Sequence, residues 1–170
     1  MIHKRSLPHS VSLGNPAVLF GTWFGIGFLP LAPGTFGALA AIPVGWLVIA
    51  YFGWPVLLLL ALAVFALGVW CADICARLIG VADPSAVVID EVAGQWLVLL
   101  VVPHDLLYYA AAFLAFRIFD IWKPFPVSWA ERSFRGGFGV MIDDVFAAGY
   151  ACIILYPVSL VLGSGTPVSS

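Results

Sequence analysis

The fold is decided by residues 54–78, which read WPVLLLLALAVFALGVWCADICARL. The first charged residue in this stretch is Asp73, so the run before it is long and uncharged. A helix needs about 20 consecutive, mostly apolar residues to cross the hydrocarbon core of a bilayer. We therefore predict that residues 54–78 form a transmembrane helix, with Arg77 at the end that leaves the membrane.

The composition of the whole chain extends this prediction. Of its 170 residues, 63% are hydrophobic and only 9% are charged, and the mean hydropathy is +1.09. Soluble domains carry about 25% charged residues, and a chain this short has to expose much of its surface. The composition indicates an integral membrane protein whose partner is the lipid bilayer. The net charge of −2 and the lack of a basic stripe do not indicate nucleic-acid binding.

The remaining apolar runs predict the architecture. Residues 16–29 are too few to span comfortably, and the prolines of residues 29–35 interrupt the helix that precedes them. We expect an all-α, polytopic membrane helix bundle of about four to five spans, plus an N-terminal re-entrant or interfacial helix. The further predicted spans are residues 36–52, 86–102, 106–122 and 145–162.

A single integral membrane domain is expected to cover residues 1–170. Within it, residues 1–15 are predicted to be a cytoplasmic tail and residues 164–170 a flexible tail. The runs lack the short alternating strands of a membrane barrel. The sequence does not indicate an oligomeric state.

Acidic residues are concentrated in three places, each at or inside the edge of an apolar run. They hold five of the nine acids of the chain. Carboxylates near hydrocarbon cost at least a few kcal/mol and usually mark a site, and gathered carboxylates repel one another unless a cation holds them. Oxygen ligands without clustered His or Cys suit Mg²⁺. The predicted metal ligands are Asp90, Glu91, Asp120, Asp143 and Asp144.

Each acidic place also has a simpler interpretation. An aspartate that opens a helix can cap its free N–H groups, and acids at a helix N-terminus are favoured by the helix dipole. A cap explains Asp143 if it opens the last helix, but it does not explain the adjacent Asp144.

The orientation of the chain follows from its lysines and arginines, which are enriched in cytoplasmic loops. If residues 36–52 cross outwards, all seven Lys and Arg residues lie on the side of the N-terminus. The same threading puts the three acidic places on that side. We therefore expect the site to face the cytoplasm.

Basic residues next to the acids point to a phosphate ligand. Arg117, Asp120 and Lys123 are three apart and form one stripe at a helix end, and Arg and Lys are common phosphate ligands. Gly34 and Thr35 follow Pro33 at a helix start, where free N–H groups bind anions. The alternative for this segment is a simple proline break in a re-entrant helix.

Four motifs resemble the bacterial phosphatidylglycerophosphatase A family, over about residues 14–160. They are PLAPGTFG at 30–37, IDEVAG at 89–94, FRIFDIWKPFP at 116–126 and GGFGVMIDD at 136–144. The resemblance implies a Mg²⁺-dependent phosphomonoester hydrolase of the bacterial inner membrane. Its implied reaction converts phosphatidylglycerophosphate to phosphatidylglycerol plus phosphate, in phospholipid biosynthesis. The implied catalytic residues are Asp90, Glu91, Asp120, Lys123, Asp143 and Asp144.

Several alternatives stay open at this stage. A small cation transporter or channel could use the same carboxylates as a pathway, but it needs acids deep in the bilayer and a route to both faces. A phosphotransferase that joins lipid head groups is disfavoured, because the signature Asp-x2-Asp-Gly-x2-Ala-Arg is absent. The number of metal ions, the identity of the general base and a covalent aspartyl-phosphate are all left open.

Overall fold

The computed structural model describes residues 11–162, so most of the predicted tail at 1–15 and all of that at 164–170 lie outside the described residues. Over this range the chain is all-helical, as predicted, and contains no strand. A short 3-10 turn, Ile26–Phe28, joins the first two helices. The helices are α1 (Pro16–Gly21), α2 (Pro33–Phe52), α3 (Trp54–Ile79), α4 (Ile89–Leu99), α5 (Leu106–Trp122), α6 (Val127–Ser133) and α7 (Gly136–Leu162).

Local sequence signals set most of the helix ends. Asn15 caps α1, because its side chain accepts a hydrogen bond from Ala17 N at 2.9 Å. Asp105 caps α5 in the same way, accepting from Leu107 N at 2.8 Å. Gly80 ends α3 in the left-handed conformation, with φ of +76°, which glycine adopts without strain.

The short helix α4 is the centre of the bundle. It packs against α2, α3, α5 and α7, and most of its side chains are buried. Close approach to α2 is possible because Gly45 has no side chain; a Cβ there would lie 2.7 Å from Leu99 Cδ1. Trp96 completes this contact by donating a hydrogen bond to Ala41 O at 2.8 Å. The longer helices therefore enclose α4 and bury most of its side chains.

Three described helices are long and apolar enough to cross a membrane. They are α2, α3 and the part of α7 from Gly136 to Val161, with mean hydropathies of 1.8, 2.5 and 1.8. Their outer faces carry exposed apolar side chains, such as Leu59 and Ile153, as expected of a surface that lipid covers. Helix α5 has 17 residues, close to the lower limit of about 17 for a span.

The predicted span at 86–102 is the main difference from expectation, since only 11 of its residues form helix α4. The segment before α4 is tied instead to α1, because Val88 N donates to Gly21 O at 2.8 Å. Non-helical backbone is tolerated at this position because neighbouring helices, rather than lipid, supply its hydrogen-bond partners.

The last helix also differs from the prediction, because it begins at Gly136, before the predicted span at 145–162. Residues 127–133 form α6, and the glycines at 136–139 begin α7 instead of forming a loop. Gly137 lies against α3, where a Cβ would collide with Val69 O. Asp73 of α3 accepts a hydrogen bond from Gly137 N at 2.6 Å and so satisfies the start of α7. Asp143 and Asp144 consequently lie inside α7, and the interpretation of Asp143 as an N-cap is wrong.

Candidate active site

Two helices bring three carboxylates together. Asp90 and Glu91 lie in the first turn of α4, and Asp144 lies on α7 beside them. One oxygen from each of these three side chains lies within 4.8 Å of the others. Gly94 helps α4 to pack here, since a Cβ would lie 2.7 Å from the Phe116 ring of α5 and 3.3 Å from Asp144 O of α7. The contact between α4 and α7 therefore creates this three-carboxylate cluster.

The cluster has unused ligand atoms. Glu91 Oε2 and Asp144 Oδ2 are buried and have no hydrogen-bond partner among the described residues. Asp144 is only 3% exposed. Buried polar atoms without a partner are costly, so each one calls for an explanation such as an ion. A cation bound there would give both oxygens a partner and would offset the repulsion between the carboxylates.

Arg117 of α5 lies next to the cluster. Its Nη1 is 3.6 Å from Glu91 Oε1 and forms a second, close ion pair with Asp120. Its Nε is buried and has no partner in the described part of the chain. Arg117 thus pairs closely with Asp120 and less closely with Glu91, whereas Asp90 and Asp144 form no ion pair among the described residues.

Lys123 lies at the end of α5 and joins two acids. Its Nζ is 2.7 Å from Asp143 Oδ2 and 2.9 Å from Glu131 Oε1. Partial burial by itself lowers the pKa of the Lys123 ammonium, but the hydrogen bonds and attraction of Asp143 and Glu131 outweigh it and raise that pKa. Lys123 is therefore a permanent positive charge at neutral pH. Glu131 is not among the site residues predicted from the sequence, because its pairing with Lys123 depends on how α6 packs.

The N-terminus of α2 closes another side of the site. Gly34 is buried there, and a Cβ at this position would collide with Glu91 Oε1 and lie 3.3 Å from Arg117 Nη1. The first N–H groups of a helix have no partner within the helix. Thr35, predicted together with Gly34, follows in the same turn but does not line the cavity described next.

All of these side chains except Thr35 and Glu131 line one cavity of 220 Å³. The structure thus brings together the five predicted acids, the two predicted phosphate-binding side chains Arg117 and Lys123, and Gly34. Asp83, in the turn between α3 and α4, also lines the cavity; sequence reasoning missed it because a single aspartate in a Pro/Ser turn looks like an ordinary turn residue. The full lining is Ala32, Pro33, Gly34, Asp83, Ser85, Val87, Asp90, Glu91, Arg117, Asp120, Lys123, Val140, Asp143 and Asp144.

The chemistry of this cavity suits an anion and a cation together. The oxygen-only cluster fits a hard divalent cation such as Mg²⁺, and the unpartnered oxygens of Glu91 and Asp144 fit the same ion. The two basic side chains, Arg117 paired with Asp120 and Lys123 paired with Asp143, suit a phosphate group. Among residues 11–162, no histidine or cysteine lines the cavity.

Comparisons with known proteins agree with this description. The family model described as phosphatidylglycerophosphatase A matches residues 19–159. The chain is 38% identical to phosphatidylglycerophosphatase A of Escherichia coli, over 91% of this chain and 90% of that protein. It is also 38% identical to the Haemophilus influenzae protein of that name, over 87% and 91%.

A third relative has a different name. The chain is 44% identical to a Bacteroides thetaiotaomicron protein provisionally named phosphatidylinositol-3-phosphatase, over 86% of this chain and 95% of that one. No solved structure matches the chain. Because the family model covers most of the chain and both named phosphatases align along nearly their whole length, the chain belongs to the phosphatidylglycerophosphatase A family.

Proposed function

We propose that this chain hydrolyses the terminal phosphomonoester of phosphatidylglycerophosphate and so produces phosphatidylglycerol and inorganic phosphate. The observation that carries the proposal is the single cavity in which three carboxylates lie beside Arg117 and Lys123. Membership of the phosphatidylglycerophosphatase A family supports this substrate.

Asp90, Glu91 and Asp144 are proposed to hold Mg²⁺, because their oxygens lie close together and because Glu91 and Asp144 each have a buried oxygen without a partner among the described residues. Bound there, the ion would polarise the phosphoryl oxygens and lower the pKa of a water molecule. Asp120 and Asp143 face the same cavity but are paired with Arg117 and Lys123. Their proposed role is to position these two basic groups, or to bind a second ion after the pairs rearrange.

Arg117 and Lys123 are proposed to bind the phosphoryl group and to neutralise its charge in the transition state. Such fixed charges act strongly because the surrounding protein excludes water. The N–H groups at the start of α2 add donors beside Gly34. A water oxygen then bonds to phosphorus, the bond between phosphorus and the glycerol oxygen breaks, and that oxygen takes up a proton.

The lipid is proposed to enter from the cytoplasmic leaflet of a bacterial inner membrane. Trp122 and Phe125, on either side of Lys123 and Pro124, are 72% and 73% exposed. Aromatic side chains at this level suit the interface between head groups and acyl chains. The positive-inside distribution of Lys and Arg supports the cytoplasmic side.

The transporter alternative is less well supported. A pathway needs polar groups that continue from one face to the other. The acids instead share one cavity with two basic residues, and Asp105, near the other end of α5, is used as a helix cap.

The proposal is tested by phosphate release from phosphatidylglycerophosphate in detergent micelles, with purified protein, with and without Mg²⁺. We expect release that needs Mg²⁺ and is lost with a chelator. Phosphatidylinositol 3-phosphate should be included, because one relative is named for that activity. If no phosphate is released from phosphatidylglycerophosphate in Mg²⁺, the proposal is contradicted. If phosphate is released faster from the inositol lipid, that lipid is the preferred substrate.

A further inference from the structure

A second cavity, of 310 Å³, adjoins the active-site cavity. Asp83, Val140 and Asp143 line both cavities, so the two are neighbours with a common wall. The volume corresponds to about ten water molecules, which is ample for a phosphate group and its first ester carbons. The second cavity is formed mainly by α6, by the junction between α6 and α7, and by the turn that carries Asp83.

Two arginines give this cavity its chemical character. Arg132 and Arg135 both line it, and neither forms an ion pair within residues 11–161. Arg132 Nε donates a hydrogen bond to Ser128 O at 2.8 Å, which orients its guanidinium group and leaves the Nη groups for a ligand.

The lining also holds three acids, Asp83, Glu131 and Asp143, so that with Lys123 included its formal charge is zero. Glu131 and Asp143 are both bound to Lys123. Among the three acids of this cavity, Asp83 is the one without an ion pair to a described residue. Neither Arg132 nor Arg135 has an ion pair of its own among the described residues, so each guanidinium group can bind an anion. Arginine binds phosphate in a bidentate manner better than lysine does.

We propose that this second cavity binds the phosphodiester group of the substrate through Arg132 and Arg135, while the phosphomonoester occupies the active-site cavity. This inference rests on the proposed function. Phosphatidylglycerophosphate carries two phosphates separated by one glycerol, and the fold offers two anion-binding cavities separated by one wall. The arginines would thus select a lipid with both groups over a lipid that has only a monoester.

The expected kinetic effect is on KM. The diester does not react, so its contacts are equal in the ground state and the transition state and contribute uniform binding. We expect Arg132→Gln and Arg135→Gln each to raise KM for phosphatidylglycerophosphate about tenfold, with kcat within about twofold of the unsubstituted protein. Arg132→Lys and Arg135→Lys should restore part of the binding.

Arg77→Gln is the matched control. Arg77 lies in the last turn of α3, is exposed and lines neither cavity, so its loss removes one positive charge without touching the proposed ligands. Assays use micelles of an uncharged detergent and repeat in vesicles that contain anionic lipid. Phosphatidylglycerol, which has the diester and lacks the monoester, should inhibit the unsubstituted protein and inhibit Arg135→Gln about tenfold less.

Several results would overturn the inference while the proposed function stands. One is an unchanged KM in both glutamine variants, and another is an equal rise in KM in Arg77→Gln. A fall in kcat at constant KM would also overturn it. So would an effect seen only in anionic vesicles, because the ligand would then be bulk lipid. Failure of the unsubstituted protein to release phosphate at all would instead remove the proposed function itself. Equal thermal midpoints for the variants show that any change is not a loss of folding.

Discussion

Substitution of Asp144 is the clearest test of whether an acid of the site binds metal or only supports the structure. This residue is buried, belongs to the three-carboxylate cluster and has an oxygen without a partner. We expect Asp144→Asn to reduce phosphate release by roughly 100-fold or more, as seen when a group that stabilises developing charge is removed. The remaining activity should need a higher Mg²⁺ concentration, measured by titration with the metal.

The same substitution at Asp105 provides the control. Asp105 caps α5 by accepting from Leu107 N and Tyr108 N, near the end of α5 opposite Lys123. Asparagine caps helices about as well as aspartate. Asp105→Asn should therefore leave both activity and thermal stability unchanged, and an equal loss in both variants would contradict a specific role for Asp144.

Gly34 tests whether the start of α2 belongs to the site. A Cβ at this position collides with Glu91 Oε1, while alanine is otherwise favoured within a helix. We expect Gly34→Ala to lower activity by about 100-fold through displacement of Glu91, with no loss of thermal stability. Phosphate release and thermal unfolding measured on the same preparation check this; full activity in the variant would exclude close contact between Gly34 and Glu91.

At the level of elements, the crossing of α7 over α3 depends on Gly137. A Cβ there collides with the backbone oxygen of Val69, and backbone cannot move aside as a side chain can. We expect Gly137→Ala to destabilise the protein by about 1–3 kcal/mol, the usual cost of overpacking. The measurement is the thermal unfolding midpoint of the purified protein in detergent.

Gly149 offers a matched comparison on the same helix. A Cβ at Gly149 meets no atom within 4 Å, so Gly149→Ala should stabilise α7 by about 0.5–1 kcal/mol. If both glycine variants shift the midpoint in the same direction, the close crossing at Gly137 is not what limits the packing of α7.

For the whole molecule, the testable property is which side of the membrane the site faces. Helix α5 places Leu106 and Lys123 at opposite ends, about 25 Å apart at 1.5 Å per residue. Ser133, at the end of α6, is exposed and lies next to Arg132 of the second cavity. We expect a cysteine at Leu106 to react with an impermeant maleimide in intact spheroplasts, and a cysteine at Ser133 to react only after lysis.

The native cysteines supply the background for this experiment. Cys71 and Cys75 are buried and Cys152 is partly buried, so the unsubstituted protein should label weakly in both conditions. Labelling of the Ser133 variant in intact spheroplasts would place the site outside and contradict the orientation inferred from the lysines and arginines.

The sequence by itself was sufficient for the fold class and the family, and most of the residues it proposed for a site line one cavity of the structure. Long apolar runs and scarce charge predict membrane helices regardless of how they pack. Carboxylates in such runs are conspicuous because they are costly, so Asp90, Glu91 and Asp144 could be identified without coordinates.

Only the tertiary structure decided which acids form the three-carboxylate cluster and which pair most closely with basic side chains. Asp90, Glu91 and Asp144 meet because α7 crosses next to α4, whereas Asp120 and Asp143 form the two shortest ion pairs of the described residues, with Arg117 and Lys123. The glycines at 136–139 look like a loop in sequence, since glycine weakens isolated helices, but close contact with α3 makes them helical. Pairings between distant segments depend on packing, and no local pattern of residues encodes that packing.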